Sequence, residues 1–201
     1  MASTANRREA IIAAAAQAFD AHGYAATTIE QVAANAGISK GNIYNYFHSK
    51  EELFEQVFVS VVADMETDAL QIFKEPFSAA DKLKRLIDYR CSTMEQSQLI
   101  GRLVLEFWAT AAREQRGQLA TTLRQMYDRW HEQVAAVVVQ GIDRGEFRPE
   151  VNPALAAVVI VALLDGIEVQ SLLGFGPELD QNYRSTLEKA VMAALLAEKE
   201  N

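Results

Sequence analysis

Between Thr28 and Phe54 two short helix-forming runs are separated by only three residues, Gly37-Ile38-Ser39. No other stretch limits the fold as tightly. Gly37 can take the positive φ that ends one helix, and the Ser39 hydroxyl can cap the next. Helices this short bury little alone, so they must cross steeply and share a core, which is the helix-turn-helix arrangement. In the second run, from Ser39 to about Phe47, Ile43 and Phe47 lie four apart on one face. That face turns inward with Val32, Ala33 and Ile38. Lys40, Gly41, Asn42, Tyr44, Asn45 and Tyr46 are then left to point outward.

The outward set has the chemistry of a DNA reader. Lysine serves guanine acceptors or phosphate, and asparagine can pair with an adenine edge through two hydrogen bonds. Tyrosine hydroxyls donate to phosphate oxygens, and tyrosine rings contact thymine methyls. Gly41 has no side chain, so the backbone there can come close to the groove.

Helical spacing continues through the rest of the chain, and strand signals are nearly absent. Ile11, Ile12, Ala15, Ala16 and Phe19 form a stripe from Arg7 to His22, stopped by Gly23. Thr28 and Gln31 make a capping-box pair at the start of the second helix. Ser49 caps a fourth helix, with Glu51 and Glu52 at its positive end. The stripe Phe54, Val57, Phe58, Val61, Met65, Leu70 and Phe73 carries that helix towards Pro76. Further helices are expected over about 79–95, 98–115, 118–144, 153–173 and 180–198, with Asn152 and Pro153 opening the penultimate one. The fold class is all-α with about nine helices. A helix-turn-helix DNA-binding domain over 1–52 precedes a larger helical domain over 53–201.

Charge is divided along the chain. The net charge is −8, yet residues 1–50 carry four basic and three acidic side chains against 15 and 24 in residues 51–201. An acidic body repels DNA and so turns the front of the chain towards it. Half the residues are hydrophobic, and Cys91 is the single cysteine. A sizeable core without a disulfide fits a reducing compartment. The first residues lack the apolar region of a signal peptide. The uncharged run Val151 to Leu164 spans 14 residues, short of the roughly 18 a membrane span needs. A soluble cytoplasmic protein without membrane association is expected.

The stretch Thr27 to Phe54, "TTIEQVAANAGISKGNIYNYFHSKEELF", resembles the DNA-binding segment of the TetR/AcrR family of transcriptional regulators. It has a Thr before the second helix, the run "VA..AG.SKG..Y.YF", and a "K..L" pair opening the fourth helix. The likeness covers roughly residues 7–54. It implies phosphate contacts from Thr28, Tyr46 and Lys50, and base contacts or close approach from Lys40, Gly41, Asn42, Tyr44 and Asn45. Ser39, the cap, completes the candidate DNA-binding set. Asn45 stands where the family more often has an aromatic residue or histidine.

The resemblance also implies a homodimer on a palindromic operator of double-stranded DNA, since two readers must sit about 34–36 Å apart. The last two helices are the expected interface, offering the nearly all-apolar segment 154–173 together with Tyr183, Leu187, Val191, Ala194 and Leu195. Helices between 53 and 144 would enclose a small-molecule effector. Cys91, Phe107, Trp108, Met126, Tyr127, Trp130 and Glu168 are the candidate ligand-binding residues, with Met65, Tyr89 and Met94 near them in the pattern. Such a lining suits an apolar or aromatic effector, and ring faces beside Glu106 or Glu168 could instead hold a cation. Asp165 and Glu168 lie three apart on one face, as ligand, dimer or structural residues. Repression relieved by the effector is the expected function.

Two other classes compete: an all-helical cytosolic enzyme, and a protein-interaction module without DNA binding. No catalytic, metal or cofactor site is expected. His22, His48 and His131 fall in unrelated segments, no CxxC or HExxH occurs, and no glycine-rich phosphate loop follows a strand.

Overall fold

The computed structural model describes residues 4–196 apart from Ser97 and 114–116. The side chains of 4, 5, 64, 65, 96 and 98–100 also lie outside the described set, that of Met65 among them. The expected helix ends at 115 and 198 fall outside it too. Among the described residues the chain forms nine helices and no strand: α1 (Thr4–Ala26), α2 (Ile29–Asn35), α3 (Lys40–Tyr44), α4 (Lys50–Lys74), α5 (Ala79–Gln96), α6 (Gln98–Arg113), α7 (Gln118–Asp143), α8 (Pro153–Leu172) and α9 (Gln181–Leu195). They form two compact units, one of residues 1–66 with 102–121 and the other of 67–101 with 122–201.

In the first unit each short helix is delimited by its own side chains. Gly23 breaks the end of α1 at φ 75°. The buried Thr27 hydroxyl then reaches the Gly23 and Ala18 carbonyls, 2.8 and 3.0 Å away. Thr28 and Gln31 complete the expected capping box on α2. Gly37, at φ 65°, closes α2: its N–H donates to the Ala34 carbonyl and that of Ile38 to Ala33, the reciprocal pair of a Schellman stop. Ser39 and Ser49 cap α3 and α4 through the Asn42 and Glu52 N–H groups. Behind these caps Phe19, Tyr24, Phe54, Phe58 and Phe107 pack ring on ring, with centroids 4.2–5.9 Å apart.

The second unit packs α5 against α8 and α9. Its core holds Leu83, Ile87, Val134, Val138, Ile160 and Leu164, with Phe147 beneath Gly141. The spacing predicts that Leu187, Val191 and Leu195 of α9 meet a second subunit, but all three are buried in this unit's own core. They lie four apart on the face turned to the core, so the outward face carries Thr186, Lys189, Ala190, Ala193 and Ala194 instead.

Helix α8 begins as expected, with the Asn152 side chain accepting from the Leu155 N–H and Pro153 in the first turn. It is apolar on both sides. Ala157, Ile160, Leu164 and Ile167 face the core, while Leu155 (65% exposed), Val158, Val159 (64%) and Leu163 do not. Its 20 residues, counted through Asp165 and Glu168, are long and apolar enough to cross a membrane by length and composition alone, with a mean hydropathy of 1.9 over an 18-residue window. Counting uncharged residues alone misses this, because that count stops at Asp165.

A Cβ on Gly141 would strike the buried Phe147 ring. In an open helix, alanine would stabilise by about 1 kcal/mol relative to glycine. Overpacking costs about 1–3 kcal/mol, so Gly141→Ala is expected to lower the denaturation midpoint. A raised midpoint in thermal or urea unfolding would mean that Phe147 retreats without cost.

Candidate nucleic-acid interface

Helix α3 is five residues long, and the stretch from Lys40 to Phe47 that contains it is divided by burial. Ile43 and Phe47 are both fully buried. Arg8 of α1 lies over the Phe47 ring at 5.1 Å and donates to Gln56 of α4 at 2.6 Å, so α1 and α4 together clamp the reading helix. Lys40, Gly41, Tyr44 and Asn45 are exposed, and Asn42 and Tyr46 are half-buried. A Cβ on Gly41 would meet nothing within 4 Å, so packing inside the protein does not explain this glycine. The Asn42 and Asn45 amides are 3.5 Å apart, at the limit of a hydrogen bond, which leaves both nearly free for other partners.

The charged and capping members of the set already have partners. Lys40 donates to Glu30 at 2.5 Å. That hydrogen bond lifts the Lys40 ammonium above its ordinary range and holds the Glu30 carboxyl below its own. The pair is exposed, so its hold is weak and screened by salt. Lys50 donates to the Ala25 carbonyl at 3.2 Å and sits 4.5 Å over the Tyr24 ring, which itself stacks on Phe54. An ammonium has three donors, so Lys50 can hold the end of α1 and still meet a phosphate. The Thr28 hydroxyl accepts from the Gln31 N–H and lies 3.2 Å from the Gln31 side-chain oxygen.

Residues 11–57 match the family model described as bacterial regulatory proteins, tetR family, and residues 79–196 match that of the BetI-type transcriptional repressor, C-terminal. The chain belongs to the TetR family. It is therefore a DNA-binding transcriptional regulator with a helix-turn-helix front, and not an enzyme. This TetR-family chain is 29% identical over 179 residues to the uncharacterised HTH-type regulator YfiR of Bacillus subtilis, covering 86% of this chain and 82% of that protein. It is 23% identical to the HTH-type transcriptional repressor DhaR of a Mycobacterium species, covering 96% and 94%. A transcriptional regulator from Saccharomonospora viridis, solved in complex with choline, shares the fold at a TM-score of 0.85 and 21% identity, covering 97% and 100%.

The candidate effector residues of this TetR-family chain are spread over both units. In the first, Phe107 is fully buried among Phe54 and Phe58. Trp108 is half-buried, and its indole N–H is enclosed without an acceptor. In the second, Cys91 and Met126 are buried and Trp130 packs partly covered on the core. Burial pushes the Cys91 thiol up. Tyr127 donates to Asp165 at 2.7 Å, and Arg90 donates to Glu168 at 2.6 Å with Asp165 3.7 Å away. Two carboxylates thus share one buried guanidinium. Desolvation raises the Asp165 carboxyl, against the opposing Tyr127 hydrogen bond. Among the described residues no group of three or more His, Cys, Asp and Glu could hold a metal ion.

Sequence reasoning missed Arg8, Glu30, Tyr24 and Arg90. Arg90 is 78 residues from its partner, and its only local clue was the acid pair interrupting an apolar helix. Glu30 meets Lys40 across the turn, a contact that spacing on one helix does not show. Because Glu30 occupies Lys40, one of the residues that the resemblance places at DNA, Glu30→Gln is expected to tighten binding to DNA about threefold or more at low salt, with the gain shrinking as salt rises. Fluorescence anisotropy with labelled duplex at two salt concentrations checks this. Weaker binding would place Glu30 among the groups that hold the DNA.

Proposed function

We propose that this TetR-family regulator is a cytoplasmic homodimer that represses transcription from a palindromic operator and releases it when a small apolar or aromatic effector binds. Residues 1–52 read DNA and residues 53–201 regulate. The observation that carries this reading is the stretch from Lys40 to Phe47, α3 and the residues just after it, in which Ile43 and Phe47 are buried while Lys40, Tyr44 and Asn45 are exposed. Thr28, Tyr46 and Lys50 hold phosphates, and Ser39 presents the helix. One such helix spans too few base pairs for a specific operator. The exposed apolar residues Leu155, Val158, Val159 and Leu163 of α8 support a second copy as the missing partner. The small outward residues Ala190, Ala193 and Ala194 of α9 let a partner helix approach closely.

For the effector, Tyr127 and Trp130 of the second unit supply ring surface. The excess of carboxylate at Asp165 and Glu168 over Arg90 favours a second reading, an effector carrying positive charge, like the choline of the Saccharomonospora regulator. Helix α4 is one continuous element from Lys50 to Lys74 and contributes to both units, so it is the route by which an effector loosens the DNA reader. A differential affinity of about 1–3 kcal/mol changes DNA affinity by roughly 5–150-fold.

A gel shift with DNA upstream of the gene tests the proposal. Two chains should be bound per retarded duplex, and affinity should fall steeply with salt as counterions are released. Lys50→Ala should weaken binding evenly across an operator panel, whereas Asn42→Ala should lose about 1–3 kcal/mol of preference at one base position. One chain per duplex would contradict the dimer, and identical behaviour of the two variants would contradict the division of roles.

A further inference from the structure

Near the C-terminal end of α7 the second unit has a groove of about 470 Å³ that contains none of the candidate effector residues. Phe73 of α4 and Val137 of α7 give it apolar walls. Lys82 of α5 and Gln140, Asp143 and Arg144 of the α7 end give it polar ones. The volume lies in the range of small-molecule sites, about 300–1,000 Å³.

Lys82 sets this groove apart. It is only 6% exposed, whereas an ordinary surface lysine buries its stem and keeps its ammonium in water. Its Nζ donates to the Gln140 side-chain oxygen at 3.0 Å. Among the described residues it has no ion pair, and the neutral Gln140 oxygen is its one side-chain acceptor. An ammonium has three N–H donors, and a covered charge without a counter-charge is costly. The groove that reaches Lys82 also reaches Arg144, whose side chain is exposed. Asp143, exposed in the same lining, is the one acid there, which leaves the groove a net positive charge of one. A single negative charge matches that balance. A polyanion would meet Asp143 without enough cations to offset it.

We propose that this groove binds a small organic monocarboxylate, its carboxylate on Lys82 and Arg144 and its apolar body along Phe73 and Val137. The site depends neither on the DNA-reading helix nor on the effector cluster around Tyr127 and Glu168, so it stands or falls separately from the proposed function.

Titration of the full chain with octanoate, followed by calorimetry, tests the site. Saturable binding of one equivalent per chain is expected. Lys82→Met, which keeps the apolar stem, should weaken it about tenfold or more, and so should replacing octanoate by neutral octanamide. Arg144→Gln should weaken it about threefold. Should Lys82→Met fail to fold, the exposed Arg144→Gln and the octanamide comparison carry the test. No saturable binding up to about 10 mM, equal binding of octanoate and octanamide, or affinity unchanged in the variants would overturn the proposal. Displacement of octanoate by an equal concentration of inorganic phosphate would overturn the choice of a carboxylate.

Discussion

The burial of Ile43 and Phe47 is the constraint on which the rest of this regulator depends. A five-residue helix has no stability of its own, because nucleation alone costs more than so few backbone bonds return. Helix α3 exists because Ile43 and, just past its end, Phe47 reach a core made by its neighbours, with the Arg8 guanidinium over the Phe47 ring. The helical repeat does the rest. With Ile43 and Phe47 inward, Lys40, Tyr44 and Asn45 can only be outward. Losing either anchor would therefore cost the reading surface along with the packing.

Electrostatics then adjusts a surface that packing has placed. Glu30 holds Lys40, and Lys50 is shared between the end of α1 and the solvent, so in the free protein the two cations proposed to meet DNA have weak, exchangeable partners. Phosphates offer stronger charge-assisted bonds in their place. The acidic excess beyond residue 50 works in the same direction by making every other face less attractive to DNA. In the second unit the balance is different. Arg90 and Glu168 are paired in a buried place, with the partly covered Asp165 and Tyr127 beside them, so a change there is costly in a way that a change at Glu30 is not.

What was legible in the sequence was what is local. The capping pair Thr28 and Gln31, the stop at Gly37, the caps Ser39, Ser49 and Asn152 and the nine helices follow from spacing and side-chain chemistry within a few residues. The split of residues 40–47 into a buried and an exposed face was legible for the same reason. What crosses the chain was not. Arg8 under Gln56, Arg90 on Glu168 and Phe107 among Phe54 and Phe58 join residues 48 or more apart. Leu187, Val191 and Leu195 show the limit of periodicity: it finds an apolar face but does not say whether that face meets the chain's own core or a second copy. Lys82 was illegible for a simpler reason, since nothing in its neighbourhood of sequence marks a lysine that folding will cover.

The division of α3 between anchor and reader is most directly tested by nuclear magnetic resonance of the full chain titrated with operator duplex. On saturation the side-chain amides of Asn42 and Asn45 and the ring of Tyr44 should shift, while the Phe47 ring and the Ile43 methyls keep their positions. Shifts confined to the first residues of α4, with Asn42, Tyr44 and Asn45 unmoved, would contradict the account.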